Sequence, residues 1–263
     1  MTMEERITRN VKVFGNGAHI FVPKAWAGEQ ILLVRPKKNT IKERIIEALD
    51  PYLDSIIGVY LYGSHARDEQ KDDSDIDLFV ITDKKIKIRA KGFEIISLEQ
   101  KEIEKAIKLE PLLMHSILSE AKPIINSGLI EELKSKYKPK LSEFTSFIED
   151  CKRMIKVNED FIEEKAHSIS SEAVIYSLVL RLRGLFILRS LLEDKPYTHK
   201  YFKQWIAKSL PEIDFSTIYE AYRLSKHENK IKQKVKVKDL KILLEFLKNE
   251  IHSLENGKKR KKT

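Results

Sequence analysis

The chain has 263 residues, of which 42% are hydrophobic and 34% charged, with a formal net charge of +9 and a single cysteine, Cys151. This is the composition of a soluble globular protein able to bury a core. It excludes an intramolecular disulfide framework and contains no apolar run long enough to cross a bilayer. Residues 7–36 form a first β-rich unit. Val11 to Phe14 and His19 to Val22 are strand-like runs flanking Gly15-Asn16-Gly17, a strong hairpin signal. Pro23 and Gly28 punctuate the chain before a further β-rich run, Gln30 to Val34. Thr40 can cap the helix that follows, with Glu43 completing a capping box. Residues 40–126 alternate: a helix from Ile41 to about Tyr52, a strand Ile56 to Leu61, a Gly-Ser turn and charged loop, a strand Ile76 to Ile81, a strand Glu94 to Leu98, and a helix from Gln100. Such alternation predicts a sheet covered by helices. From Leu129 to Ser253 the apolar spacing is helical throughout, as in Ile175, Leu178, Val179, Leu182, Leu185 and Phe186. Breaks at Pro139, Pro196 and Pro211 predict a bundle of about five helices. Lys258, Lys259, Arg260, Lys261 and Lys262 carry five of the nine excess charges. Residues 256–263 are therefore expected to be a disordered basic tail, solubilising or in non-specific contact with nucleic acid. Glu4, Glu5 and Arg6 are followed by no apolar stretch, so a cytoplasmic protein without a signal peptide is expected.

Chemistry concentrates at Leu61-Tyr62-Gly63-Ser64-His65-Ala66-Arg67 and, after an acidic loop, Ser74-Asp75-Ile76-Asp77-Leu78-Phe79-Val80. An apolar strand ending at Gly63 lets the backbone approach a ligand closely. Ser64 then opens a helix whose unpaired N–H groups favour a phosphate. Asp75 and Asp77 stand two apart at a strand start, so both carboxylates project from one face. Two carboxylates on one rigid face can hold a pair of Mg²⁺ ions.

Gly63-Ser64-x-x-Arg67 followed by Ser74-Asp75-Ile76-Asp77-Leu78 resembles the signature of minimal nucleotidyltransferases of the DNA polymerase β superfamily and the related aminoglycoside adenylyltransferases. The resemblance implies an α+β fold with a mixed sheet and flanking helices. It also implies two Mg²⁺ ions and ATP or another nucleoside triphosphate as donor. By the same resemblance Ser64 and Ser74 contact the triphosphate, with Gly63 and Arg67 completing the nucleotide site, and Asp75 and Asp77 bind metal. The signature arginine is usually followed by glycine, whereas Arg67 is followed by Asp68. Glu94, the one charge in its apolar strand, is the candidate third carboxylate, as metal ligand or as the base for the acceptor's proton.

In the helical half, Arg181, Arg183 and Arg189 lie on an apolar helix and need partners, either a nucleotide phosphate or carboxylates such as Glu172 and Glu193. Thr198-His199-Lys200, followed by Phe202 and Trp205, is similar to a pattern in the helical domain of streptomycin-type adenylyltransferases. That similarity implies that Lys200 reaches the triphosphate. At the other end, Val11 to Gly17 with Ile20-Phe21-Val22-Pro23-Lys24 and Trp26 to Ile31 resembles the AbrB/SpoVT swapped-hairpin module, which implies a homodimer and DNA contact through residues such as Lys12, Lys24 and Arg35.

The expected organisation is a β module (1–38), a catalytic domain (39–128), a helical substrate- and nucleotide-binding domain (129–255) and the tail (256–263). The expected activity is Mg-dependent transfer of a nucleoside monophosphate, AMP from ATP, to a hydroxyl of a small molecule, a protein or an RNA end. The rival reading is a DNA-binding or toxin-neutralising regulator whose core only binds nucleotide.

Overall fold

A computed structural model describes residues 11–31, 40–71, 74–164, 171–226 and 235–260. By internal contacts the chain divides into two compact units, Met1–Ile41 and Lys42–Thr263. The second unit contains both the sheet and the helices beyond residue 128.

In the first unit β1 (Lys12–Phe14) and β2 (Gly17–His19) pair antiparallel with Phe14 opposite Gly17. The turn is Gly15-Asn16, and Gly15 has φ 54°, as a two-residue hairpin turn requires. The second strand ends at His19, short of the expected Val22, and a 3-10 turn, Lys24–Trp26, follows Pro23. His19 meets Phe14 and Phe21 edge-on, with ring centroids 5.4 and 4.9 Å apart. Val11, Val13, Phe14 and Phe21 are exposed. Gln30 and Ile31 are not in a strand, and residues 32–34 of that expected strand, like Arg35, lie outside the described residues.

The second unit is α+β. Helix α1 (Ile41–Leu49) buries Ile45 and Leu49, and Pro51 leads a 3-10 turn, Asp50–Ser55, into β3 (Ile56–Leu61). A one-turn helix, α2 (Gly63–Ala66), precedes β4 (Ile76–Thr82), and β5 (Phe93–Glu99) follows. Then come α3 (Ile103–Leu109), α4 (Pro111–Glu120), β6 (Lys122–Ile125) and α5 (Ser127–Lys136). The sheet order is β5-β4-β3-β6, with β4 and β5 parallel and the other pairs antiparallel. Strand alternation turns Tyr60, Phe79, Ile81, Ile96 and Leu98 toward α3, α4 and α5, which contribute Ile107, Met114, Ile117, Ile130 and Leu133. The short edge strand β6, with Pro123 inside it, was not expected from sequence. Four residues interrupted by proline carry no usable alternation, and proline is tolerated only at such an edge.

Among the described residues five further helices follow, in agreement with the apolar spacing: α6 (Thr145–Glu164), α7 (Ser171–Leu192), α8 (His199–Ser209), α9 (Phe215–Lys226) and α10 (Val237–Arg260). Helix α7 packs against α4, α6, α9 and α10, which is why its sequence is apolar nearly all round. Ile175, Leu178, Val179, Leu182, Leu185 and Leu188 on it are fully buried. Helix α10 continues to Arg260, past residue 256 where the tail was expected to begin, and residues 261–263 lie outside the described residues. Among the described residues no helix is long and apolar enough to cross a membrane.

Candidate active site

Strand β3 delivers the chain to the site. Tyr62 N–H donates to the Asp77 carbonyl at 3.1 Å, fixing the end of β3 beside the start of β4. Gly63 then turns the chain with φ 69°. A Cβ at this position would stand 2.0 Å from Asp77 Oδ2 and 2.7 Å from Cγ. The glycine is therefore required twice, by its dihedral and by the carboxylate lying against it. Ser64, the next residue, donates its backbone N–H to the Asp77 carboxylate. The sequence pattern Gly63-Ser64…Asp77 is thus one packed unit.

Asp77 and Glu94 are register partners on the parallel strands β4 and β5, so their side chains leave the sheet on the same face. That face also carries Tyr62. Burial, and then the negative charge of Glu94, holds the Asp77 carboxyl above its ordinary range, although the Ser64 N–H, the Arg67 guanidinium and the nearby His65 act the other way. Burial together with Asp77, Glu94 and Glu120 pushes the Tyr62 phenol well above its ordinary value. Tyr62 was not singled out from sequence, where an aromatic before a glycine has no special signature. Asp75 lies exposed just ahead of β4, and Glu94 is exposed on β5. Ser74 Oγ accepts the Lys71 N–H at 2.9 Å, closing the end of the acidic loop.

The donor set suits a hard divalent cation. Two carboxylates side by side on one face, one of them largely desolvated, are stabilised by a cation between them, and oxygen ligands are the chemistry of Mg²⁺. The structure brings Asp77 and Glu94 together. Among the described residues, however, no group of three His, Cys, Asp or Glu side chains converges closely enough to hold a metal ion.

Arg67, placed by sequence in the nucleotide site, is engaged by protein carboxylates. Its guanidinium pairs with Glu120, at the end of α4, and its Nε donates to Glu69 at 3.0 Å. Glu120 also accepts the Gly63 N–H at 3.1 Å and the Ser116 hydroxyl at 3.0 Å, so it fastens the turn from behind. Arg67 lies over the Tyr197 ring, 5.3 Å from its centroid, and Arg183 Nε donates to the Tyr197 hydroxyl at 2.8 Å. The only sequence sign of Glu120 is a charge ending an apolar helix.

Thr198 caps α8, accepting the Tyr201 N–H at 3.0 Å, and Lys200 stands exposed in the first turn. The residue of this segment that meets the Gly63–Glu69 stretch is His199, whose backbone N–H donates to Glu69 at 2.8 Å. Of the other arginines on α7, Arg181 pairs with Asp150 and Arg189 with Glu250. Their carboxylates come from α6 and α10, not from Glu172 or Glu193.

Residues 43–134, about a third of the chain, match the family model described as polymerase beta, nucleotidyltransferase. A search of curated proteins gave no match. Among solved structures, a spectinomycin adenyltransferase from Enterococcus faecialis, crystallised with ATP and spectinomycin, is 16% identical. That alignment covers 80% of this chain and 97% of that one, with a TM-score of 0.43. A toxin–antitoxin crystallised with AMP-PNP is 19% identical over 42% of this chain and 98% of that one, with a TM-score of 0.32.

Proposed function

We propose that the chain is a Mg-dependent nucleotidyltransferase that moves AMP from ATP to a hydroxyl of an acceptor bound between the sheet and the helical half. The observation that carries this reading is the closure of the Gly63–Ser64 turn on Asp77, with Glu94 beside it on the same face. Within a segment that matches the nucleotidyltransferase family, this unit sets the Ser64 hydroxyl, for phosphate, next to carboxylates for metal. In this reading Asp77 and Glu94, with Asp75 drawn in by the cation, would hold the metal, which would polarise the phosphoryl oxygens and neutralise the leaving pyrophosphate. Ser64 and Ser74 orient the triphosphate through their hydroxyls. Glu94, exposed on β5, would serve as the base for the acceptor hydroxyl's proton if it stays off the metal. Lys200 reaches the phosphates from the helical side.

The first unit is assigned to self-association. A two-stranded hairpin that leaves Val13, Phe14 and Phe21 exposed cannot stabilise itself in water and gains most from a second copy. DNA contact by residues 1–38 is a further use of the same dimer.

Incubation with labelled ATP and Mg²⁺ across panels of small hydroxylated molecules, proteins and RNA ends tests the activity directly. Transfer should require the metal and vanish in Asp75→Ala/Asp77→Ala. Undiminished MgATP binding by that double variant would contradict the metal site. Salt-dependent DNA binding without pyrophosphate release would favour the regulator instead.

A further inference from the structure

We propose that Glu69 is a positioning residue that couples the Gly63–Ser64 turn to the helical half of the protein, an inference that rests on reading this turn as the nucleotide site. Glu69 is bonded to both sides. Its backbone N–H donates to the Ser64 carbonyl at 2.9 Å, immediately behind the serine read as a phosphate ligand. Its carboxylate crosses to α8, where one oxygen accepts the His199 N–H at 2.8 Å and the other lies 3.2 Å from His199 Nδ1. That second oxygen also accepts Arg67 Nε at 3.0 Å, so the arginine of the turn and the imidazole of the bundle share one carboxylate oxygen. The Glu69 and Arg67 side chains are only 17% and 10% exposed, so the bridge is largely withdrawn from solvent screening.

The chemistry on the α8 side explains why a carboxylate is needed. His199 is the first residue of α8, and its N–H is one of the donors that the helix cannot satisfy internally. The Thr198 hydroxyl serves Tyr201, which leaves His199 to a partner from outside the helix. A carboxylate there satisfies the donor and complements the positive end of the helix dipole. The ring is held neutral: burial, with Arg183, Arg67 and Lys203 nearby, depresses its pKa to about 4 even though Glu69 opposes the shift. Nδ1 therefore carries the proton toward Glu69, and Nε2 is left as an acceptor. On the turn side, Asp68 takes φ 58°, a left-handed residue that sends Glu69 back against Ser64 and out toward α8. A displacement of the turn when a triphosphate settles on it is thus transmitted to the first turn of α8 through one side chain.

Hydrogen exchange on the full chain, with and without Mg²⁺ and AMP-PNP, tests this. In the wild type, nucleotide should slow exchange both across residues 63–67 and in the first turn of α8. Glu69→Ala should keep the slowing at 63–67 and lose it in α8. Its affinity for MgAMP-PNP should weaken by about tenfold, within the range of site–site couplings. Glu69→Gln, which keeps an oxygen for the His199 N–H, should restore the α8 response. His199→Pro is the second route: it deletes the donor and the ring without touching the turn. Proline suits a first helical position, and Thr198 ahead of it is already extended. It should uncouple α8 as Glu69→Ala does. An α8 response to nucleotide that survives in both variants, or a wild type that slows at 63–67 alone, overturns the inference. No slowing at 63–67 in the wild type would instead overturn the nucleotide site itself, and the inference with it.

Discussion

Replacing Gly63 with alanine separates backbone strain from damage to the site. An alanine at φ 69° costs about 1–2 kcal/mol through its Cβ alone. The same Cβ would stand 2.0 Å from Asp77 Oδ2 and 3.0 Å from Asp77 Cβ, so the carboxylate has to swing away and give up the Ser64 N–H. Losing a hydrogen bond to a charged group adds about 1.5–3 kcal/mol. Together these come to about 3–5 kcal/mol, a fall in melting temperature of roughly 10 °C for a domain of this size. Gly92→Ala is the control. It stands at φ 79°, but its Cβ meets nothing closer than Arg44 at 3.9 Å, so it carries the strain without the collision. It should lose only about 1–2 kcal/mol and retain MgAMP-PNP binding, whereas Gly63→Ala should lose binding by about 100-fold, the scale of an ångström's misplacement in a site. Calorimetric melting and nucleotide titration of both variants measure these effects. Equal melting temperatures for the two, or wild-type nucleotide affinity in Gly63→Ala, would refute the packing of Asp77 against the turn.

Asp77→Asn removes a carboxylate whose proton affinity burial and Glu94 have raised, so its charge destabilises the metal-free fold at neutral pH. The variant should melt higher without metal, by about 2–4 °C for each kcal/mol recovered, and should lose any stabilisation by Mg²⁺. A lower melting point in metal-free buffer would contradict this. Arg67→Met strands Glu120 and Glu69 and should cost about 3–5 kcal/mol, much of it recovered in Arg67→Met/Glu120→Gln. Denaturant melts of the single and double variants decide whether the cost is the stranded charge. His199 titrates near 4 in the folded chain against an ordinary 6.5, so the unfolded chain takes up its proton first. The stability that His199 contributes is therefore full above pH 6.5 and falls as the pH drops toward 4, a slope that His199→Gln should flatten. Buried His115, also depressed by burial, contributes with the same sign.

The parts of this molecule legible in its sequence are those decided by neighbours along the chain. Strands β3 and β4 and the turn between them are read from an apolar run, a glycine and a second apolar run, and the five late helices from a 3.6-residue period long enough to be unambiguous. What could not be read is set by docking. Gly63 and Glu120 are 57 residues apart, and Glu69 and His199 are 130 apart. No local pattern marks either glutamate as a partner, and β6 is too short to announce itself. Asp68 stands between the two cases. The resemblance to the nucleotidyltransferase signature calls for glycine after Arg67, and the structure gives Asp68 φ 58°, in the region where glycine is favoured and aspartate is among the few side chains tolerated. The departure in sequence therefore preserves the turn that glycine would make. It also adds an anchor, since the Asp68 carboxylate accepts from Lys122 Nζ at 3.1 Å. That pair is exposed and energetically small, but it completes a series. Arg67 is tied to α4, Asp68 to β6 and Glu69 to α8, so three consecutive residues fix the turn to three elements that reach it from different parts of the chain. The acidic loop that looks irregular in sequence begins, in the fold, as the joint by which sheet and bundle hold the site in place.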